Sequence, residues 1–217
     1  TGNPQFDTFP KLMELGIPTA IVAEYMESSP LGQAEWIKFT ALFFNREAKA
    51  ESVFTGIAQR YEKMGQMAET VSDPPTVFTG LNQSGTWYVP GGESYIAQYF
   101  EDAGAEYLWA DNESRGSLPL DFEAVYERAQ TADYWLHVSQ DWENVEDAIG
   151  QDQRYANFQA LQQRHIYNND ARLNAAGGND FWESGVVNPD RVLADLIKIF
   201  HPELLPEHEL VYYRQLE

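Results

Sequence analysis

Between residues 46 and 71 the apolar side chains Ala50, Val53, Phe54, Ile57, Ala58, Tyr61 and Met64 recur at helical spacing without a break. The pattern predicts one long helix. At 1.5 Å per residue, roughly 26 residues reach about 39 Å, more than the width of a small domain. The run Ser72-Asp73-Pro74-Pro75 ends it, because neither proline donates a backbone bond and each pushes its predecessor toward extended conformations. Upstream, "FDTFPKLMELGIPTAIVAEY" predicts a short helix closed by Gly16, then an apolar strand over residues 17–23. Ser29 as N-cap and Pro30 at the first helical position predict a second helix, with Trp36, Ile37, Thr40, Ala41 and Phe44 on one face.

Past the prolines, short apolar runs alternate with helical patterns. Strands are expected at 76–81, 105–110, 133–139 and 165–170, and helices at 92–103 and 119–130. Polar helical segments follow at 142–162, and a last helix is opened by Asn188-Pro189-Asp190. Such alternation predicts an α/β fold: a three-layer lobe with a mainly parallel central sheet, preceded by the long helix. Ligands of such sheets bind at the carboxyl ends of the strands. No internal repeat or low-complexity segment interrupts the pattern.

Four loops are expected at that edge. The first holds Trp87 and Tyr88 before Pro90-Gly91-Gly92, where glycines let backbone approach a ligand and the next helix offers free amides. Each ring alone is equally compatible with an aromatic cap on the core, since tryptophan is mostly buried in any fold; the pair together points to a cleft. The second loop carries Arg115, one of nine arginines, and Ser117. An arginine there grips carboxylates or other oxygen-rich groups, although pairing with Asp111 or Glu113 is an alternative. The third loop offers Trp142, and the fourth Arg172, Phe181 and Trp182. Aromatic walls with a few aimed polar groups are the usual composition of a ligand pocket.

Charge narrows the partners. With 14 Lys+Arg against 34 Asp+Glu, the net charge is -20, which repels nucleic acid and anionic membranes. Acidity of this kind also accompanies solubility or a salty habitat, and it implies no cationic substrate. Length allows a substantial core without staples, and no apolar run is long enough to cross a bilayer. The absence of cysteine removes thiolate catalysis, disulfides and thiolate-ligated metals. The chain begins at Thr1 without the regions of a signal peptide, so a processed or trimmed product is expected.

Catalytic signals are thin. His137, His165, His201 and His208 show no metal-ligand spacing, no serine sits in a nucleophile elbow, and "VPGGES" lacks the lysine of a phosphate loop. No catalytic and no metal-ligating residue is assigned. Carboxylates are abundant enough that some pair lies at glycosidase distance by chance, so an acidic glycan-active hydrolase stands as the alternative reading.

Longer strings carry more information. "EYMESSPLGQAEWIKFTALFFN", "WYVPGGESYIAQYFEDAGAEYLWAD", "GSLPLDFEAVYERAQTADYWL" and "GGNDFWESGVVNPDRVLADLIKIFHPELLP" resemble the substrate-binding proteins of ABC importers for ferric siderophores, haem and cobalamin. The resemblance covers nearly the whole chain. It implies two α/β lobes joined by a helical spine, with residues 1–45 the end of the amino-terminal lobe, 46–71 the spine and 72–217 the carboxyl-terminal lobe. About a hundred residues of the first lobe would then be missing, by usual domain size.

The same resemblance implies a monomeric protein outside the cytoplasm, lipid-anchored as a full-length precursor. It would perform no chemistry and would hand an iron chelate or corrinoid to an ABC permease. Trp87, Tyr88, Arg115, Ser117, Trp142, Arg172, Phe181 and Trp182 would line or flank the ligand cleft. Glu123, at the start of the helix after the second strand of the lobe, would dock onto permease arginines; a glutamate there also stabilises its own helix dipole. A truncated lobe serving only as an interaction module is a third reading.

Overall fold

The computed structural model describes residues 8–217. Helix α1 (Phe9–Glu14) ends at Gly16, whose φ of +66° needs a residue without Cβ; Phe6 and Asp7 of the expected helix lie outside the described residues. The strand expected at 17–23 does not form. Ile17, Ile21 and Val22 are exposed and no neighbouring strand among the described residues accepts their backbone bonds, so apolarity alone was insufficient. Helix α2 (Pro30–Leu42) starts as expected, with the Ser29 hydroxyl accepting from the Gly32 amide at 3.1 Å. Of its predicted apolar face only Ala41 is fully buried, and Leu42, Phe43 and Phe44 stay exposed at its end.

Helix α3 (Glu47–Ala68) is the long helix, shorter by a few residues than the pattern allowed. It packs on α2 and along α8 (Pro189–Phe200), burying Ala50, Ile57, Tyr61 and Ala68. Two polar contacts reinforce the packing: Arg60 Nε meets the buried Asp190 carboxylate at 2.6 Å, and the Tyr61 hydroxyl donates to Asp102.

The central sheet has the order β4-β1-β6-β7-β8. Its strands are β1 (Thr76–Thr79), β4 (Glu106–Tyr107), β6 (Tyr134–Leu136), β7 (Ile166–Asn168) and β8 (Arg214–Gln215). All pairs are parallel except the β7–β8 edge, so the predicted mainly parallel sheet is present. Side chains alternate across it with period two. Tyr134 meets Phe200 of α8 on one face, while Trp135 packs against Tyr155 and Phe158 on the other. Helix α4 (Tyr95–Asp102) joins α8 on the first side; α5 (Phe122–Ala129), α6 (Val145–Gln151) and α7 (Gln159–Gln162) follow the later connections.

The carboxyl-terminal edge strand, absent from the sequence expectation, is anchored by Asp195. Its fully buried carboxylate accepts the amides of Val211, Tyr212 and Tyr213 and lies 2.7 Å from His208 Nε2.

A second, small antiparallel sheet was also unexpected: β2 (Asn82–Gln83), β3 (Thr86–Pro90) and β5 (Ser117–Leu120). Ser84 and Gly85, at φ +53° and +95°, form the two-residue turn between β2 and β3. The Asn82 carboxamide accepts the Gly85 amide at 2.9 Å. Trp87 and Tyr88 thus sit in a strand, not a loop, and adjacent strand residues point to opposite faces.

Candidate functional site

A groove of about 390 Å³ opens where the carboxyl ends of β1 and β6 meet the amino end of α4. The β3–β5 ribbon forms one bank. Tyr88 and Ser117 project from it, with Arg115 in the turn just before β5 and Trp182 on the opposite loop. Tyr88 is 51% exposed and Trp182 49%, a large exposure for rings of that size. The ribbon is held close by glycines: a Cβ at Gly91 would lie 2.1 Å from the Ser114 carbonyl, and one at Gly92 2.4 Å from that of Asn112. The turn carrying Arg115 can therefore lie directly over the start of α4.

Four of the expected site residues come together in this groove and four do not. Tyr88, Arg115, Ser117 and Trp182 line it. Trp87 does not: it is fully buried, its Nε1 donates to the Thr79 carbonyl at 2.8 Å, and its ring packs against Phe78, Trp135, Phe122 and Phe158. The correction follows from strand alternation, which sends Trp87 inward and Tyr88 outward. Trp142 is likewise core, edge-on to Trp135 with its Nε1 donating to Gln151 at 2.9 Å. Phe181 is buried beneath Trp182 and Tyr213. Arg172 lies outside the lining, with its Nε 2.6 Å from Asp180. Glu123 opens α5 well exposed, 3.4 Å from Arg154, whose guanidinium also pairs with Asp152 and lies over the Phe122 ring.

The alternative partners suggested for Arg115, Asp111 and Glu113, are not the ones it takes. Its Nε lies 3.5 Å from Glu93, an exposed and loose pair, while Asp111 pairs with Arg128. Such a pair contributes little by itself and leaves the guanidinium free to engage a ligand.

Sequence reasoning missed Thr79, Ser94 and His137, all of which line the groove. Ser94 had a readable signal, a serine N-cap whose hydroxyl accepts from the amide three residues on, at Ala97. His137 sits just past β6 in the left-handed region, at φ +53°. Its ring packs among Phe100, Phe181 and Tyr213, and Nε2 lies 2.6 Å from the Tyr213 hydroxyl. Burial pushes its imidazole down to about 3, so it is neutral at ordinary pH. Burial also pushes the groove-lining Tyr95 phenol up to about 12. Among the described residues Arg115 is therefore the one charged side chain lining the groove, with Glu93 beside it. Among the described residues no group of three or more His, Cys, Asp and Glu side chains could hold a metal ion by itself.

The sequence model of the family described as "Periplasmic binding protein" matches residues 2–173. The chain belongs to the periplasmic binding protein family. Two relatives of this family member are lipoproteins of Methanocaldococcus jannaschii, described as uncharacterized. One is 32% identical over 198 residues, covering 89% of this chain and 44% of its own; the other is 28% identical over 217 residues, covering 95% and 52%. This chain thus spans about half the length of the curated relatives it matches.

Among solved structures, the apo periplasmic heme-binding protein RhuT from Roseiflexus superposes with a TM-score of 0.72 at 22% identity, covering 94% of this chain and 73% of that one. A component of an ABC-type ferric hydroxamate transport system from Saccharomonospora viridis gives 0.67 at 20%, covering 92% and 67%. The periplasmic vitamin B12 binding protein of Vibrio cholerae gives 0.62 at 15%, covering 92% and 70%. These likenesses establish the periplasmic binding protein fold. No described helix is long and apolar enough to cross a membrane.

Proposed function

We propose that this chain supplies the ligand-binding and permease-facing lobe of an extracytoplasmic, lipid-anchored solute-binding protein. It captures a metal chelate (a ferric siderophore, haem or cobalamin) and delivers it to an ABC permease without chemistry of its own. The observation that carries the reading is the groove at the strand ends, with Tyr88 and Trp182 half exposed beside Arg115 in a member of this family. Exposed rings stack on flat or chelated ligands, and a guanidinium offsets their negative charge. Relatives described as lipoproteins favour the anchored, extracytoplasmic placement. The division into a lobe remnant over 1–45, a spine over 46–71 and a carboxyl-terminal lobe over 72–217 belongs to the same proposal.

The partner-facing residue of the proposal is Glu123, exposed at the start of α5. Among the described residues no Asp or Glu lines the groove, and the neighbouring Glu93 faces Arg115, so no carboxylate pair there favours glycan hydrolysis. The test uses the full-length protein: tryptophan quenching by ferric siderophores, haem and cobalamin, followed by uptake into vesicles bearing the cognate permease. Saturable quenching without turnover supports the reading, and quenching by none of them refutes it. Glu123→Arg should lower uptake and leave ligand affinity unchanged; undiminished uptake removes Glu123 from the docking role.

A further inference from the structure

A second cavity, of about 350 Å³, lies between the sheet and α8 at the amino ends of β6 and β7, the opposite end of the strands from the groove. That volume is in the range of small-molecule sites. Its sheet wall is made by Tyr134 at the start of β6, His165 just before β7, and Tyr167 within β7. Leu136 shares a face with Tyr134 by the two-residue period and stands opposite Tyr167, so both phenols project from the same side of the sheet. Their rings are 6.3 Å apart. Ile199 of α8 and Leu210 supply an apolar wall, and Lys198 completes the site.

The polar groups here have capacity to spare. Neither phenol hydroxyl has a hydrogen-bond partner among the described residues, and burial pushes Tyr134 up to about 12 and raises Tyr167, so both remain protonated donors at ordinary pH. The Lys198 ammonium donates to the Pro206 carbonyl at 2.9 Å, keeps two further protons, and forms no ion pair among the described residues. His165 is fixed by its Nδ1, 3.2 Å from the Asp133 carbonyl, and its ring stacks on Tyr134 at 4.8 Å.

No Asp, Glu or Arg among the described residues lines this cavity, although the chain carries 34 carboxylates. Of the two whose charge reaches Tyr134, Asp133 is held by the amide and hydroxyl of Thr76, and Glu203 is exposed outside the lining. Three donors, one of them cationic, therefore face an aromatic and apolar wall. A single lysine suits one negative charge better than the two of a phosphate.

We propose that this cavity binds a small aromatic carboxylate, with its ring packed on Tyr167, Ile199 and Leu210 and its carboxylate held by Lys198 and the two phenol hydroxyls. The site is separate from the chelate groove and does not depend on that reading.

Fluorine NMR titration of the full-length protein with para-fluorobenzoate tests it. The benzoate should bind about tenfold tighter than para-fluorobenzamide, the scale of one charge-assisted contact, and benzoate should displace it several-fold better than cyclohexanecarboxylate. Lys198→Gln should weaken fluorobenzoate about tenfold with the melting temperature little changed, Tyr167→Leu should weaken it several-fold, and Tyr88→Ala, in the other groove, should leave it unchanged. No binding of fluorobenzoate at millimolar concentration, equal binding of the amide, or binding that survives Lys198→Gln and is lost in Tyr88→Ala overturns the site. Chelate binding, read separately by tryptophan quenching, should be the same in native protein and Lys198→Gln; its loss in that variant would overturn the separateness of the two sites.

Discussion

Trp87 Nε1 donates to the carbonyl oxygen of Thr79 at 2.8 Å, tying the β3 ribbon to the end of β1 directly beneath the groove. That bond turns the indole into the core and leaves the next residue, Tyr88, facing outward. The two rings, adjacent in sequence, have separate jobs.

Trp87→Ala should therefore destabilise the fold by about 3–5 kcal/mol, the usual cost of emptying a buried aromatic site. Tyr88→Ala should change stability by about 0.5 kcal/mol or less and weaken ligand binding by about 1–3 kcal/mol. Urea unfolding and ligand titration of each variant separate the two; a Trp87→Ala protein of native stability would return the indole to the groove.

Among the described residues Trp182 is the only tryptophan lining the groove, whereas Trp87, Trp135 and Trp142 are clustered in the core. Short-range quenching by a bound ligand should thus fall mostly on Trp182. In Trp182→Phe the ligand-induced loss of emission should shrink while affinity, measured calorimetrically, drops by no more than about 1 kcal/mol because an aromatic face remains. An undiminished quench would place the ligand elsewhere.

His137 predicts an acid limb of stability. Its ordinary value is 6.5, and burial lowers it to about 3 in the fold. Between those values the unfolded chain binds a proton that the folded one does not, so stability falls as pH drops from about 6.5 toward about 3. His137→Gln lacks this term. The stability difference between native protein and variant should be flat above about pH 7 and should shrink below about pH 6. A constant difference down to about pH 4 would mean that the folded imidazole titrates normally.

Arg60 and Asp190 join α3 to the start of α8 at 2.6 Å, with the carboxylate buried and the guanidinium half exposed. Arg60→Ala leaves Asp190 charged without its partner and should cost about 1–3 kcal/mol. Adding Asp190→Asn should recover part of that loss. Additive losses in the double variant, read by thermal unfolding, would show that the pair is not coupled.

Much of the architecture was legible in the chain. The apolar repeat over 46–71 could be satisfied only by a helix with one buried stripe. Ser29-Pro30 and Asn188-Pro189, and the alternation of short apolar runs with amphipathic segments, dictated helix starts and a parallel sheet through local backbone chemistry. The strings quoted above also identified the family.

What the chain alone left open was decided by pairing and packing. Residues 17–23 read as a strand, but a strand exists only where another supplies the opposite half of its hydrogen bonds, and none does among the described residues. Residues 86–90 read as a loop, yet the Ser84-Gly85 turn and β5 made them a strand, and the strand's pleat then sorted Trp87 inward and Tyr88 outward. Aromatic identity and loop position are the same for a core ring and a binding ring. Only the three-dimensional neighbours of Trp87, Trp142 and Phe181 assigned them to the core, and only the meeting of β1 with α4 brought Thr79 and Ser94 to one groove floor.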